Sequence, residues 1–184
     1  MVDKVKSINP KTAAIRHQKL VCWLLFLSFF LSLAFVGVAF LDSFAIVSET
    51  LDHVYFSPIE MAVGIAGFEL NGFLLAGLLV EGVSMIFTFV VFLASAITKR
   101  FAPWSAMLMA LAIAGFAYVF AITFFFQMII TNSLSELANP EATLVTMWPI
   151  YLMSGLSGGS LAINLSLLIF TSIESYSHIS IQKR

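Results

Sequence analysis

The stretch FLLAGLLVEGVSMIFTFVVFLASAIT, Phe73 to Thr98, decides how this chain is to be read. At about 1.5 Å per helical residue it is long enough to cross a hydrocarbon layer of roughly 30 Å, and it is apolar almost throughout. One residue breaks the pattern. Glu81 lies roughly 12 Å along such a helix from its beginning, well inside any hydrocarbon. A charge placed there costs about 3 kcal/mol on insertion scales. A second residue must compensate that charge, or the carboxyl must shed it.

The composition around this stretch is of the same kind. Of 184 residues, 60% are hydrophobic and 10% charged, whereas a soluble domain carries about 25% charged residues. Nineteen Phe and a mean hydropathy of +1.01 agree. The expected fold class is therefore an all-α integral membrane protein, a four-transmembrane-helix bundle in one compact membrane domain. Basic residues are too few and too dispersed for a nucleic-acid surface. The single cysteine, Cys22, excludes an intrachain disulfide and a Cys-based metal site. The chain shows no internal repeat and no low-complexity linker.

Outward from the central stretch, the other spans fall at about 20–41, 104–131 and 148–172, beside 73–98 itself. Residues 1–19 form a polar arm, 20–172 the membrane domain and 173–184 a short tail. The uncharged run from Leu20 to Leu41 exceeds the roughly 7–15 residues of a signal-peptide core, so a retained signal-anchor helix is expected. Ser57-Pro58-Ile59-Glu60 spells a capping box with proline at the first helical position, so a helix starts there. One helix over 58–98 would be about 60 Å long, twice the hydrocarbon thickness. It divides more naturally into an interfacial or re-entrant helix over 58–70, a break at Asn71-Gly72 in the left-handed region, and the span proper. The undivided, strongly tilted helix is the alternative. Asn139-Pro140-Glu141 reads as a further helix start, and Pro149 bends or begins the membrane part of the last span.

Charge orients the bundle. All nine Lys and Arg lie in the N-terminal arm, at Lys99-Arg100 or at Lys183-Arg184. The loops 42–72 and 132–147 carry acids and no base. The positive-inside rule then places both termini in the cytoplasm of a cell membrane, inner or plasma. Trp23, Trp104 and Trp148 suit interfacial anchors, and Cys22 reads as a small buried hydrophobe.

None of the four spans contains Lys, Arg or His, so an ion pair within the bundle is not available to Glu81. At helical spacing its own face reads Gly77, Glu81, Ser84, Thr88, Ser95, a small and hydroxyl-bearing seam suited to packing against another helix. The same depth on the other spans gives Ser32, Thr123, Gln127, Ser157 and Ser160. The last span carries a second seam, Ser154 to Ser160 with Asn164. Gly155 and Gly159 in it form the small-xxx-small pattern of close helix packing. The two seams predict that the second and fourth spans are neighbours, with Glu81 wrapped by hydroxyls and an amide. Without a cation the carboxyl is expected to rest as a neutral acid.

Two readings of function follow. The first is a non-catalytic subunit or scaffold of a membrane complex, associating with other membrane subunits or with itself through these seams. The second is an oligomeric proton or cation channel, or a transporter component, with Glu81 as its intramembrane site. A partner's Lys or Arg meeting Glu81 belongs to the first. Neither is an enzyme, and no cofactor is implied. Glu49, Asp52 and His53, at i, i+3 and i+4, could share a helical face around a divalent ion, but one His and two acids make an unspecific set, and a solvated acidic face is the plainer reading. Glu69 reads as solvated too.

The topology makes a direct prediction. With Cys22 replaced by Ser, Asn139→Cys should react with an impermeant thiol reagent added to intact cells. Reaction only after permeabilisation would reverse the assigned orientation.

Overall fold

The computed structural model describes residues 10–47, 54–64, 71–98, 103–125 and 143–182. Four helices in it are long and apolar enough to cross a membrane. They are α1 (Pro10–Val38), α3 (Gly72–Thr98), α4 (Pro103–Phe124) and α5 (Trp148–Gln182). A short α2 (Pro58–Val63) lies between the first two, and three short strands join it at one end: β1 (Phe44–Val47), β2 (Val54–Phe56) and β3 (Thr143–Thr146).

The capping box at the start of α2 forms as spelled. Ser57 Oγ accepts from Glu60 N at 3.3 Å, and Glu60 Oε2 accepts from Ser57 N at 2.8 Å. The helix is much shorter than the expected 58–70, because Gly64 ends it in the left-handed region at φ 80°. The break at Asn71-Gly72 is also of another kind than expected. Asn71 Oδ1 accepts from Leu74 N at 3.1 Å, so Asn71 is the N-cap of α3, and Gly72 is not in the left-handed region. Residues 65–70, Glu69 among them, lie outside the described residues.

The sheet corrects the all-α expectation. The strands pair antiparallel in the order β2-β1-β3, with Phe44 opposite both Phe56 and Thr146. The helix start expected at Asn139-Pro140-Glu141 lies outside the described residues, and from Thr143 the chain forms β3, whose Thr-Leu-Val-Thr run of mainly β-branched residues favours a strand. Only at Trp148-Pro149 does α5 begin, with proline in its first turn where no backbone donor is lost. Phe44 and Phe56 turn inward and are buried, while Tyr55 and Val145 face out over Ala45. The chain's two acidic loops are thus tied together through β1.

Around the bundle α1 packs on α3, α3 on α4, α4 on α5 and α5 back on α1. The second and fourth spans, α3 and α5, therefore lie diagonally opposite rather than side by side. A four-helix ring with short connections places alternate helices across the diagonal, and a seam on each then meets at the axis through long side chains only.

The interior is layered. At the sheet end Phe35, Val38, Phe44, Phe56, Leu74, Val119, Ile122, Ile150 and Met153 form one apolar cluster. At the other end Val21, Leu25, Val91, Met109 and Leu167 form a second. Between them the buried residues turn polar: Ser28, Ser32, Glu81, Ser84, Thr88, Ser157, Ser160 and Asn164. The outer faces are the reverse, with Phe30, Leu79, Ile86, Leu111 and Ile169 all exposed.

Close helix approach falls at one of the two expected glycines and at two others. Gly155 faces outward, with nothing near the position of a Cβ, so it makes no close contact within this chain. Gly159 does pack, with Leu31 Cδ1 at 3.2 Å from that position. The tightest sites are Gly115 of α4, where a Cβ would overlap Ser84 Oγ, and Gly158, where it would meet the Phe120 ring at 3.1 Å. Gly115→Leu and Gly158→Leu should each lower stability by about 1–3 kcal/mol or more through overpacking. Gly155→Leu should leave the midpoint of thermal unfolding in detergent unchanged. Equal loss in all three would contradict this packing.

Candidate functional site

Glu81 lies near the bundle axis, fully buried, in the polar layer between the two apolar clusters. Its position on α3 follows from the seam. Gly77, Glu81, Ser84, Thr88 and Ser95 are all buried, so the face read from the sequence points inward along the whole helix. Gly77 lets Ile122 of α4 approach to within 3.7 Å of where its Cβ would be. Thr88 donates to its own helix at the Ser84 carbonyl, 3.0 Å away, so its hydroxyl needs no partner elsewhere.

Across the diagonal, Ser157 Oγ of α5 lies 3.3 Å from Glu81 Oε2 and 3.2 Å from the Phe116 carbonyl of α4. Three helices meet at this one hydroxyl. The Ser32 side chain of α1 also lies against the carboxyl, so all four helices contribute to its surroundings. Glu81 Oε1 has no hydrogen-bond partner among the described residues.

A serine hydroxyl has one proton. If Glu81 is ionised, a carboxylate oxygen and the Phe116 carbonyl compete for that proton, and the carbonyl, inside α4, also accepts a backbone N–H of its own helix. If Glu81 is neutral, an O–H on Oε2 donates to Ser157 Oγ, and Ser157 Oγ donates its hydrogen bond to the Phe116 carbonyl. Both are then satisfied. No Lys, Arg or His lies in the polar layer formed by the described residues.

The polar layer continues away from the carboxyl. Ser32 Oγ lies 3.3 Å from Ser160 Oγ, and Ser160 Oγ donates to the Ser28 carbonyl at 3.3 Å. Asn164 Nδ2 donates to Ser28 Oγ at 2.6 Å and to the Ser160 carbonyl at 2.9 Å, while its Oδ1 has no partner among the described residues. Glu81, Ser32, Ser160, Ser28 and Asn164 thus form a run of polar groups about two helical turns long on the α1–α5 side of the axis.

Several residues read from the sequence come together here: Glu81, Ser32, Ser157, Ser160 and Asn164. Others do not. Thr123 bonds back to the Val119 and Phe120 carbonyls of its own helix, and lies at the edge of the sheet-end apolar cluster. Gln127 lies outside the described residues, as do Glu49, Asp52 and His53. Among the described residues no group of three His, Cys, Asp or Glu is placed to hold a metal ion. Ser28, Gly115 and the Phe116 carbonyl were missed. Ser28 carried a signal, since it stands one turn before Ser32 on the same helical face. The Phe116 carbonyl carried none, because backbone groups have no sequence signature.

Comparison with known proteins adds nothing to this site: no family model, no curated protein and no solved structure matches the chain.

The contact between Glu81 and Ser157 can be measured with a double-mutant cycle of Glu81→Leu and Ser157→Ala. A coupling of about 0.6–1.7 kcal/mol is expected, the range of interhelical hydrogen bonds in membrane bundles. Strictly additive losses would show that the two side chains do not interact.

Proposed function

We propose that this chain is an integral membrane protein of four spans, with both termini in the cytoplasm, and that it functions by binding and releasing a proton at Glu81. The membrane assignment rests on the inverted interior and exterior, with hydroxyls, an amide and a carboxyl inside and Phe, Leu and Ile outside. Such an arrangement is stable where the surroundings are apolar. The orientation rests on the segregation of every Lys and Arg to one side.

The observation that carries the proton reading is a fully buried carboxyl set among serine hydroxyls, with no Lys, Arg or His in the polar layer formed by the described residues. A carboxyl buried without a counter-cation is favoured as the neutral acid, which has a proton to give. Oε1 is buried and has no hydrogen-bond partner among the described residues, so the site can hold a further polar group there only once it opens. Apolar clusters close the layer at both ends, so the reading is of an occluded site that loads and unloads, and not of a standing pore. Burial on all four sides argues against a partner subunit's Lys or Arg as the counter-charge.

A second reading, a non-catalytic subunit or scaffold, is favoured by one observation. Gly155 faces outward with open space beside the exposed Tyr151 and Leu152, where the helix of another subunit or of a second copy could approach closely. Neither reading is catalytic.

Proteoliposomes loaded with a pH dye and polarised by a potassium diffusion potential distinguish the two. The proton reading expects potential-driven proton uptake well above that of empty liposomes, and uptake at the empty-liposome rate for Glu81→Gln, which keeps volume and hydrogen bonding but cannot carry the acidic proton. Uptake by Glu81→Gln equal to the parent, or no uptake by the parent, would refute it and leave the subunit reading.

A further inference from the structure

Between α1 and α3, at the end of the bundle away from the sheet, lies a lateral groove of about 510 Å³ lined by Gln18, Lys19, Cys22, Trp23, Phe26, Phe92 and Ala96. Its volume falls in the range of about 300–1,000 Å³ typical of small-molecule sites. The floor is aromatic, with the rings of Phe26 and Phe92 centred 5.8 Å apart. Trp23 stands edge-on to Phe26 at 5.8 Å and is largely exposed. The Gln18 amide is engaged, since Nε2 donates to the Ser95 carbonyl at 2.7 Å and ties α1 to α3 at the head of the groove. The exposed Lys19 is the cation among the lining residues.

The chemistry along the groove is ordered. Lys19, Trp23 and Phe26 succeed one another on α1, a cation, then an amphipathic ring, then an apolar ring, over roughly 10 Å of helix. A phospholipid presents the matching order: a phosphate, an ester region and an acyl chain. The sequence adds Arg16 one turn before Lys19, and Lys99-Arg100 directly after the last residue of α3. All of this charge is of one sign.

We propose that this groove binds an anionic phospholipid, with its phosphate at Lys19 and an acyl chain along Phe26, Phe92 and Ala96. The proposal uses the membrane reading above, though not the role of Glu81. A cation beside an apolar channel at the headgroup level selects for negative headgroups, whereas the apolar wall alone would accept any chain.

The test uses the full chain, with Trp23 as sole tryptophan after Trp104→Phe and Trp148→Phe, in phosphatidylcholine vesicles. Brominated phosphatidylglycerol and brominated phosphatidylcholine with the same acyl chains are titrated in as quenchers. The parent should favour the anionic lipid on the order of five-fold, Lys19→Gln should bring the ratio close to one, and Ala96→Phe, which fills the groove, should weaken the quenching that saturates. Equal affinities for the two lipids, or an undiminished preference in Lys19→Gln, would overturn the proposal. So would the same preference measured at Trp104 as sole tryptophan, since that would be attraction to the whole surface. No quenching by either lipid would instead refute the membrane reading.

Discussion

An uncompensated carboxyl in an apolar interior constrains everything around it. Glu81 is fully buried, and around it the described residues offer the hydroxyls of Ser157 and Ser32 but no cation. Removing a charge from water into such a site without a partner is costly enough that the group sheds the charge instead. Ser157 Oγ, 3.3 Å from Oε2, is placed to hydrogen-bond such an acid. The rest of the bundle can be understood as the enclosure this requires: helices close enough for a diagonal contact, a polar layer built from α1, α3 and α5, and apolar clusters above and below.

The small residues serve the same end. Gly115 admits Ser84, and Gly158 admits the Phe120 ring, so α4 can approach both α3 and α5 while Glu81 spans the space between them. The sheet fixes the far end. By pairing β1 with both β2 and β3 it joins the segments that follow α1 and precede α5, and Phe44 and Phe56 close the sheet-end cluster. Small residues and side-chain hydrogen bonds join the apolar clusters in making the helix contacts.

Much of this was legible in the sequence. Span length and composition marked the four long helices, and the Ser57–Glu60 spelling marked the start of α2. The inward face of α3 followed from the spacing of Gly77, Glu81, Ser84 and Thr88. What was not legible was mostly long-range. The strands are too short for an alternating pattern to show, and β3 follows a proline signal that competes with its β-branched residues. Which spans are neighbours depends on how the ring closes, which no local pattern records, so the two seams suggested adjacency where the fold makes a diagonal. Gly155 and Gly159 matched a packing pattern, but only Gly159 points at a neighbour within the chain. The spacing gives the face of a helix only to within a residue or so, and one step in this segment moves the contact to Gly158.

The central claim is that Glu81 rests in the bundle as a neutral, hydrogen-bonded acid. Infrared difference spectroscopy of the reconstituted protein tests it most directly, by comparing the parent with Glu81→Gln at neutral pH. The account predicts a carbonyl stretch of a protonated carboxylic acid in the parent that disappears in Glu81→Gln and shifts downward in deuterated water once the proton exchanges. A parent spectrum without that band, in which Glu81→Gln removes only the symmetric and antisymmetric stretches of a carboxylate, would contradict it.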